Sequence, residues 1–441
     1  MVLTHFYKNV LCIAVGIMLT MPMYAQFKRC GTTEAYTALF QTNPSFKNQF
    51  HNNQQRIIPS RRLLNARNIP LQATIPVVVH VILNGANQTK ITDAVIQKQI
   101  DFLTTSFQGL NADTTRIPLV FKSRFGKGKL TFTLAKTDPE GNPTNGIVRV
   151  VRNNSFSLTT ADDAKQNETG GSTAWDVTKY YNVWIIVFAD NVLGVSVFPG
   201  DPRPLNVHGT VVDYRAFGVK ERHELPQYNN GKTLVHETGH FFNLVHIWGD
   251  DNGRCDGTDF PDAPPEQDDT PNQTKETNGN PDPAGTGKIV KTDMCSPNKD
   301  TGIMYQNYMD YTDDAAVVMF TNGQFDRMEA ALSTSIDRKL LLQSTTYLPP
   351  PPFTIDVTKG YSVTPNPFNS KVTIRLQQPI TPLQYIQIIS IDGQVIEQLE
   401  YAGGTTQSIL NLDVSLLAKG LYIVVLGFSD GRKVSEKIIK Q

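Results

Sequence analysis

Charge is scarce in this chain, and it is balanced. Asp, Glu, Lys and Arg make up 19% of the 441 residues, below the ~25% usual for globular domains, and 41 basic residues match 41 acidic ones. That balance excludes a strongly basic nucleic-acid binder and an acidic disordered tail protein. Cysteine is scarcer still: four in all, too few for a disulfide scaffold. No apolar run reaches the ~20 residues of a bilayer-spanning helix. There is no internal repeat and no long low-complexity tract. What remains is an ordinary globular composition, long enough for about two or three domains with real cores.

The apolar run Val10 to Met21 follows a short stretch with His5 and Lys8 and precedes Pro22-Met23-Tyr24-Ala25-Gln26. This order reads as a secretory signal over residues 1–25, with cleavage expected after Ala25. Cys12 leaves with it. The exported chain then keeps Cys30, Cys255 and Cys295, of which two can pair in an oxidising compartment. From Gln26 to about Pro70 the chain is polar, with Arg56, Arg61, Arg62 and Arg67 near its end. It reads as weakly packed, with exposed basic sites suited to proteolytic nicking.

Ile75-Pro-Val-Val-Val-His-Val-Ile82 predicts a buried strand, and Asp93 to Leu103 an amphipathic helix capped by Thr92 or Asp93. Leu130–Leu134, Tyr181–Phe188 and Leu193–Phe198 predict further strands. Strands interleaved with helices imply a mixed sheet with helical cover. Tyr347-Leu-Pro-Pro-Pro-Pro-Phe353 is a stiff linker. Beyond it, six short strand patterns between Ser362 and Phe428, separated by turn signals such as Asp392-Gly393, predict an all-β sandwich. The fold class is α+β.

The chemistry concentrates in His236-Glu237-Thr-Gly-His240-Phe-Phe-Asn243-Leu-Val-His246. Histidines four apart on a helix share one face, a turn apart, and two neutral imidazoles so placed can bind Zn²⁺. Glu237, beside the first, can reach a water activated by the metal. If the helix ran on, His246 would lie about 9 Å beyond His240 and on another face. The helix must therefore end between them and the chain must turn back. Asn243 is suited to the left-handed conformation that ends a helix. His51, His80, His208 and His223 lack ligand spacing and read as core or surface residues.

With Gln306-Asn-Tyr-Met309-Asp-Tyr311 downstream, this stretch resembles the metzincin metallopeptidases. The resemblance is closer to the pappalysin family and its bacterial cytophagalysin-like members. It is carried by His-Ile-Trp-Gly-Asp (246–250), Asp269-Thr270-Pro271, Asn307 to Asp314, Met319-Phe-Thr and Asp138-Pro-Glu-Gly-Asn-Pro-Thr. The family usually has Gly where this chain has Asn243.

The resemblance implies a zinc endopeptidase acting on proteins or peptides. His236, His240 and His246 would bind one catalytic Zn²⁺, and Glu237 would be the general base. Met309 would form the floor beneath the metal, and Tyr311 would steady the oxyanion or serve packing alone. Leu193-Gly194 resembles the rim strand that pairs with substrate. Asp314 would sit under the pocket for the residue after the scissile bond and select Arg or Lys; bracing the loop or holding calcium is the alternative. A non-catalytic adhesin on the same scaffold is the competing function.

Cys255 and Cys295 flank an acidic loop of about forty residues, where a disulfide clamp would contribute roughly 3–4 kcal/mol. The family's loop binds calcium. Asp259, Asp262, Asp269 and Thr270 are the candidate ligands here for one or two structural Ca²⁺, against simple solvated charge. Arg29-Cys30-Gly31-Thr32 resembles a pro-segment start, with Cys30 a latency switch on the fourth zinc position or an incidental thiol.

The C-terminal part resembles the type A sorting domain of the type IX secretion system, through Thr364-Pro-Asn-Pro-Phe368, Ile391-Asp-Gly-Gln394, Leu412-Asp-Val-Ser-Leu416, Lys419-Gly-Leu-Tyr422 and the terminal Lys437-Ile-Ile-Lys440. A carbohydrate-binding accessory module is the alternative. The expected order is signal peptide 1–25, pro-segment 26–66, catalytic domain 67–345, linker 346–354 and sorting domain 355–441. The expected product is a secreted or surface-held monomer with the type IX machinery as its partner and no nucleic acid.

Overall fold

A run of β-branched residues with few polar interruptions forms strand β1, Gln72–Leu83, and its interior is buried on both faces. The computed structural model describes residues 27–57, 72–153, 155–220, 225–250, 252–255, 269–349, 359–377 and 381–441. The signal segment with Cys12, the basic sites Arg61, Arg62 and Arg67, and the candidate ligands Asp259 and Asp262 lie outside these residues, as does His223.

Helix α3 of the catalytic body follows β1 and spans Asp93–Phe107; Thr92 caps it, accepting from Val95 N at 3.3 Å. Its buried face packs on the sheet in one core with β1 and the helix that carries His236 and His240. Two helices precede β1 in the chain, α1 (Thr32–Thr42) and α2 (Pro44–Ile57). Strands β2 (Lys129–Leu134), β3 (Ile147–Val151), β4 (Tyr181–Ile186), β5 (Gly194–Ser196) and β6 (Thr210–Asp213) complete the sheet, in the order β2-β1-β4-β6-β5 with β3 also on β1. All pairings are parallel except β5 on β6. The mixed sheet is therefore as expected, with β5 as its antiparallel edge. β3 and β6 did not stand out in the sequence because each is a short run without alternation.

Helix α4, Lys232–Phe241, is buried along its whole length. The chain below it is mostly irregular until α5 (Asn322–Thr334), which starts in a Thr321/Gln324 capping box, and α6 (Ile336–Leu341). Cys255 and Cys295 are joined in a disulfide, Cα atoms 5.4 Å apart, across the irregular loop. Arg338 on α6 ties three parts together. Its guanidinium donates to Phe241 O (2.9 Å), to Val197 O (2.9 Å) and to Asp337 (2.5 Å), and lies 3.5 Å from the Phe241 ring centroid.

One expectation needs correcting. The segment from Phe27 to Ile57 is not weakly packed. Helices α1 and α2 form a hairpin whose Tyr36, Phe40, Phe46 and Phe50 cluster against Phe198 of the catalytic body. Its aromatic residues at helical spacing are few, and Asn and Gln around them hide the pattern. Only the stretch beyond Ile57 stays outside the described residues. Thr346 O accepts from Lys136 N and Thr137 N at 2.8 and 3.0 Å, so the chain still lies on the catalytic body there.

The C-terminal part is a β-sandwich, as expected. Strands β7 (Tyr361–Thr364), β8 (Lys371–Leu376) and β11 (Ile409–Asp413) form one sheet; β9 (Leu383–Ser390), β10 (Val395–Thr405), β12 (Gly420–Phe428) and β13 (Lys433–Lys440) form the other. Their inward residues make a core of their own. Among the described residues no helix is long and apolar enough to cross a membrane.

Arg338 is buried, so its truncation removes the cation paired with Asp337 and the donor to the Phe241 and Val197 carbonyls. We expect Arg338→Ala to cost roughly 3 kcal/mol or more of stability in urea unfolding of the catalytic domain. A loss below about 1 kcal/mol would show that the guanidinium is not a tie between α4, α6 and the rim.

Candidate metal centre

The site depends on where α4 stops. Phe242 N still bonds back to Thr238 O at 3.1 Å, but Asn243 adopts φ +80°, and Leu244 N closes onto Gly239 O at 2.9 Å. The chain turns in the left-handed conformation that Asn tolerates and brings His246 back over the helix, as expected.

Each of the three imidazoles has an acceptor at Nδ1. Tyr308 O stands 2.7 Å from His236, Leu244 O 2.7 Å from His240, and both Asp250 carboxylate oxygens 2.9 Å from His246. Those contacts fix the proton on Nδ1 and leave three Nε2 lone pairs converging. His240 Nε2 is 3.2 Å from His236 Nε2 and 3.1 Å from His246 Nε2. Tetrahedral coordination with 2.0–2.1 Å bonds has N···N edges of about 3.3 Å, so the rings already stand close to that spacing. Burial, reinforced by the neighbouring imidazoles, pushes His236 well below its usual range and His240 down to about 3. Both are neutral donors at neutral pH. The ligand atoms of Cys30 and the three histidines all lie within 4.8 Å of one another. Three imidazoles and a thiol suit a borderline-soft divalent ion, zinc foremost.

Glu237 is fully buried beside them, and burial raises its carboxyl to about 8. Thr32 Oγ1 donates to its Oε2 at 3.3 Å. The Cys30 thiol is pushed up by burial and then by the Glu237 charge, while Thr32 N donates to its sulfur at 3.3 Å. Tyr311 donates from its hydroxyl to Cys30 O at 2.9 Å. Met309 lies under α4: a Cβ on Gly239 would stand 2.5 Å from its sulfur. The turn carrying Met309 is held by Asn307, whose amide exchanges hydrogen bonds of 2.8 and 3.0 Å with Gln324.

The rim strand pairs with the N-terminal segment Lys28–Gly31. Leu193 N donates to Lys28 O at 2.9 Å and Gly31 N to Gly194 O at 2.8 Å, in parallel register. A side chain at Gly194 would meet Glu237 within 2.6 Å, so the rim can approach the site only with glycine there.

Asp314 is buried and bifunctional. Its Oδ2 accepts from Asn230 N (2.9 Å) and Lys232 N (3.2 Å) at the start of α4, where the cap residue Gly231 has no side chain to offer. Its Oδ1 accepts from Arg29 Nη2 at 2.6 Å, in an ion pair with no exposed side-chain surface on either residue. Arg29 also donates to Thr312 O at 2.7 Å and lies 5.0 Å from the Tyr228 ring centroid.

Three contributors escaped the sequence reading. Asp250 orients His246 from four residues on, the spacing of one helical turn. Arg29 and Thr32 flank Cys30 in a motif that drew attention to the cysteine alone. Of the candidate calcium ligands, Asp269 places Oδ2 2.7 Å from Gly323 N at the start of α5, and Thr270 is buried. Among the described residues the metal-competent cluster is the one formed by Cys30 and the three histidines.

Comparison with known proteins agrees with this chemistry. Residues 164–333 match the peptidase family described as pregnancy-associated plasma protein-A, and residues 362–441 match the secretion system C-terminal sorting domain. Mature mirolysin of Tannerella forsythia, solved with a cleaved peptide, is 37% identical with a TM-score of 0.56, over 62% of this chain and 97% of that one. A glutamate-to-alanine mutant of promirolysin from the same organism is 35% identical with a TM-score of 0.59, over 71% of this chain and 97% of that one. An extracellular metalloprotease of Arthroderma gypseum is 26% identical over 286 residues, 64% of this chain and 79% of its own length.

The helix end is testable. Asn243→Gly should keep both fold and zinc, whereas Asn243→Val forces a β-branched residue into the left-handed region at about 1–2 kcal/mol. We expect the valine variant to lose zinc to a chelator at concentrations that leave wild type loaded. Equal retention would disconnect the helix end from the metal site.

Proposed function

The chain belongs to the pappalysin family of zinc metallopeptidases and ends in a type IX sorting domain that directs it to the cell surface or beyond; from that premise we propose that it is a latent endopeptidase cutting on the amino side of arginine and lysine. The observation that carries this reading is the buried Arg29–Asp314 pair. A pocket that already holds a guanidinium, against one carboxylate oxygen, a backbone carbonyl and an aromatic ring, is built for a cationic side chain.

His236, His240 and His246 are the zinc ligands in this reading. Zinc bound there supplies Lewis acidity and lowers the pKa of a water to the neutral range. Glu237 takes a proton from the attacking water and returns it to the leaving amine. Tyr311 donates to the substrate carbonyl oxygen as charge builds on it, an action its bond to Cys30 O resembles. Leu193 and Gly194 align the substrate backbone by strand addition. Met309 supports the helix from below.

Latency follows from the direction of the pro-segment. For an arginine in the Asp314 pocket to follow a scissile bond, the residue on its amino side must lie at the metal. In the pro-segment the residue at the histidines is Cys30, on the carboxyl side of Arg29. The segment therefore fills the pocket while running backward, and offers no bond to cut. Cys30 Sγ occupies the position a fourth ligand would take and keeps water from Glu237. The wider alignment with promirolysin than with mature mirolysin supports a pro-form here. Residues 1–25 serve as the export signal, and maturation falls between Ser60 and Arg67 in this reading. The acidic loop around Asp259, Asp262, Asp269 and Thr270 is the place for structural Ca²⁺, and the enzyme works as a monomer.

Glu237→Ala should abolish peptide hydrolysis with zinc still bound, and Asp314→Asn should raise KM for Arg peptides at least tenfold while sparing apolar ones. Digests of a proteome with new N-termini not enriched in Arg or Lys would exclude the pocket assignment; turnover of Glu237→Ala within tenfold of wild type would exclude the base. Separately, the Cys30→Ala proform should activate faster than wild type, and equal rates would remove the switch.

A further inference from the structure

The pro-segment occupies more of the cleft than the metal and the cationic pocket. Phe27, two residues before Arg29, packs in an apolar cluster formed by Leu193, Ala216, Leu225 and Tyr228. All four belong to the catalytic body, so the pocket they form stays when the pro-segment leaves. Arg215 closes it from above, its guanidinium 4.8 Å from the Phe27 ring centroid. That guanidinium is already committed: Nε donates to Asp213 Oδ1 at 2.7 Å, and Nη2 to Asp213 Oδ2 at 2.9 Å and Phe188 O at 3.1 Å. It is held flat as a lid for an aromatic face and has little left to offer a carboxylate.

We propose that this is a second specificity pocket of the peptidase, on the product side of the cleft, taking a large apolar and preferably aromatic side chain two residues beyond the arginine or lysine. The inference rests on the proposed cleavage site. In an extended chain, residues two apart point to the same side, roughly 6.6 Å from each other. Tyr228 is the shared wall: Arg29 lies over its ring and Phe27 packs beside it. A substrate runs the other way along the rim, so the position Phe27 holds before Arg29 becomes the second position after the substrate's arginine. The residue between points away. Lys28 reaches out to pair with Glu34, and both are about half exposed at 40% and 46%. The intervening position should therefore be unselective.

The test uses the mature enzyme and fluorogenic peptides with arginine fixed after the scissile bond. The second residue beyond it is varied through Phe, Leu, Ala and Asp, and the intervening one through Lys, Ala and Glu. The expected order is Phe at or above Leu, then Ala at least about tenfold lower in kcat/KM, with Asp lowest. The intervening position should move kcat/KM by less than about threefold. In Ala216→Leu, which fills the pocket, the Phe-over-Ala preference should fall below about threefold while arginine stays required. A flat response to the second position with the arginine requirement intact overturns the proposal, as does a preference for Asp. Loss of the arginine requirement itself condemns the cleavage-site reading instead. Should Ala216→Leu not fold, the wild-type series decides alone. Binding gives a readout free of turnover: a pro-segment peptide of residues 27–57 should bind the mature enzyme at least tenfold more weakly when it carries Phe27→Ala, and unchanged affinity overturns the pocket.

Discussion

Three imidazole lone pairs pointing at one another in a buried core are the constraint from which the rest of the structure follows. The Nε2 atoms stand 3.1 and 3.2 Å apart while each Nδ1 faces an acceptor, a spacing suited to a cation held between them. To hold them so, the protein gives each Nδ1 an acceptor from a different place: the Met-bearing turn, the turn after α4, and Asp250. Such partners set tautomer and ring angle. The left-handed Asn243 and the close contact of Gly239 with Met309 serve the same end.

The N-terminal segment from Phe27, a pro-segment in the proposed reading, meets the cleft on three different physical terms. Its backbone extends the sheet at the β5 rim. Its Cys30 thiol joins the imidazoles. Its Arg29 is buried in an ion pair, and a buried pair contributes more to specificity than to stability, because both charges lose their hydration. Among the described residues, Arg29 Nε and Nη1 have no hydrogen-bond partner. The firm attachment lies instead in the aromatic cluster of α1 and α2 on Phe198, where burial of apolar surface carries the energy. In the proposed latent form grip and blockade are thus separate: the helices hold, and the peptide around Cys30 obstructs.

Much of this was legible in the sequence, for a physical reason. Metal ligands have fixed spacing along the chain because helix geometry is fixed, so His236, Glu237 and His240 identify themselves, and the six-residue step to His246 demanded the turn found at Asn243. The strands of the sandwich and of the central sheet were visible through alternation or β-branched runs. The final strand Lys433–Lys440 was not read as one, since its alternation is carried largely by charged residues. What the sequence hid were relations between distant segments. Nothing in residues 27–57 announces a packed hairpin, because its apolar partner, Phe198, lies far along the chain. The pairing of Arg29 with Asp314 spans 285 residues and has no local signature.

Asp314 joins these themes in a single carboxylate. One oxygen receives backbone N–H groups at the start of α4, where the helix dipole favours a negative charge; the other faces the cationic pocket. The Arg29 pocket, the specificity pocket of the proposed reading, and the helix that carries His236, Glu237 and His240 therefore share an anchor. A cation entering the pocket bonds to the group that fixes the origin of the catalytic helix. If Asp314 recognises substrate as proposed, recognition and metal-site geometry are mechanically continuous at this residue. Specificity here cannot be altered by moving the charge along the wall without also finding a new cap for α4. An asparagine keeps one acceptor for the helix while giving up the charge, and so separates the two roles where alanine would merge them.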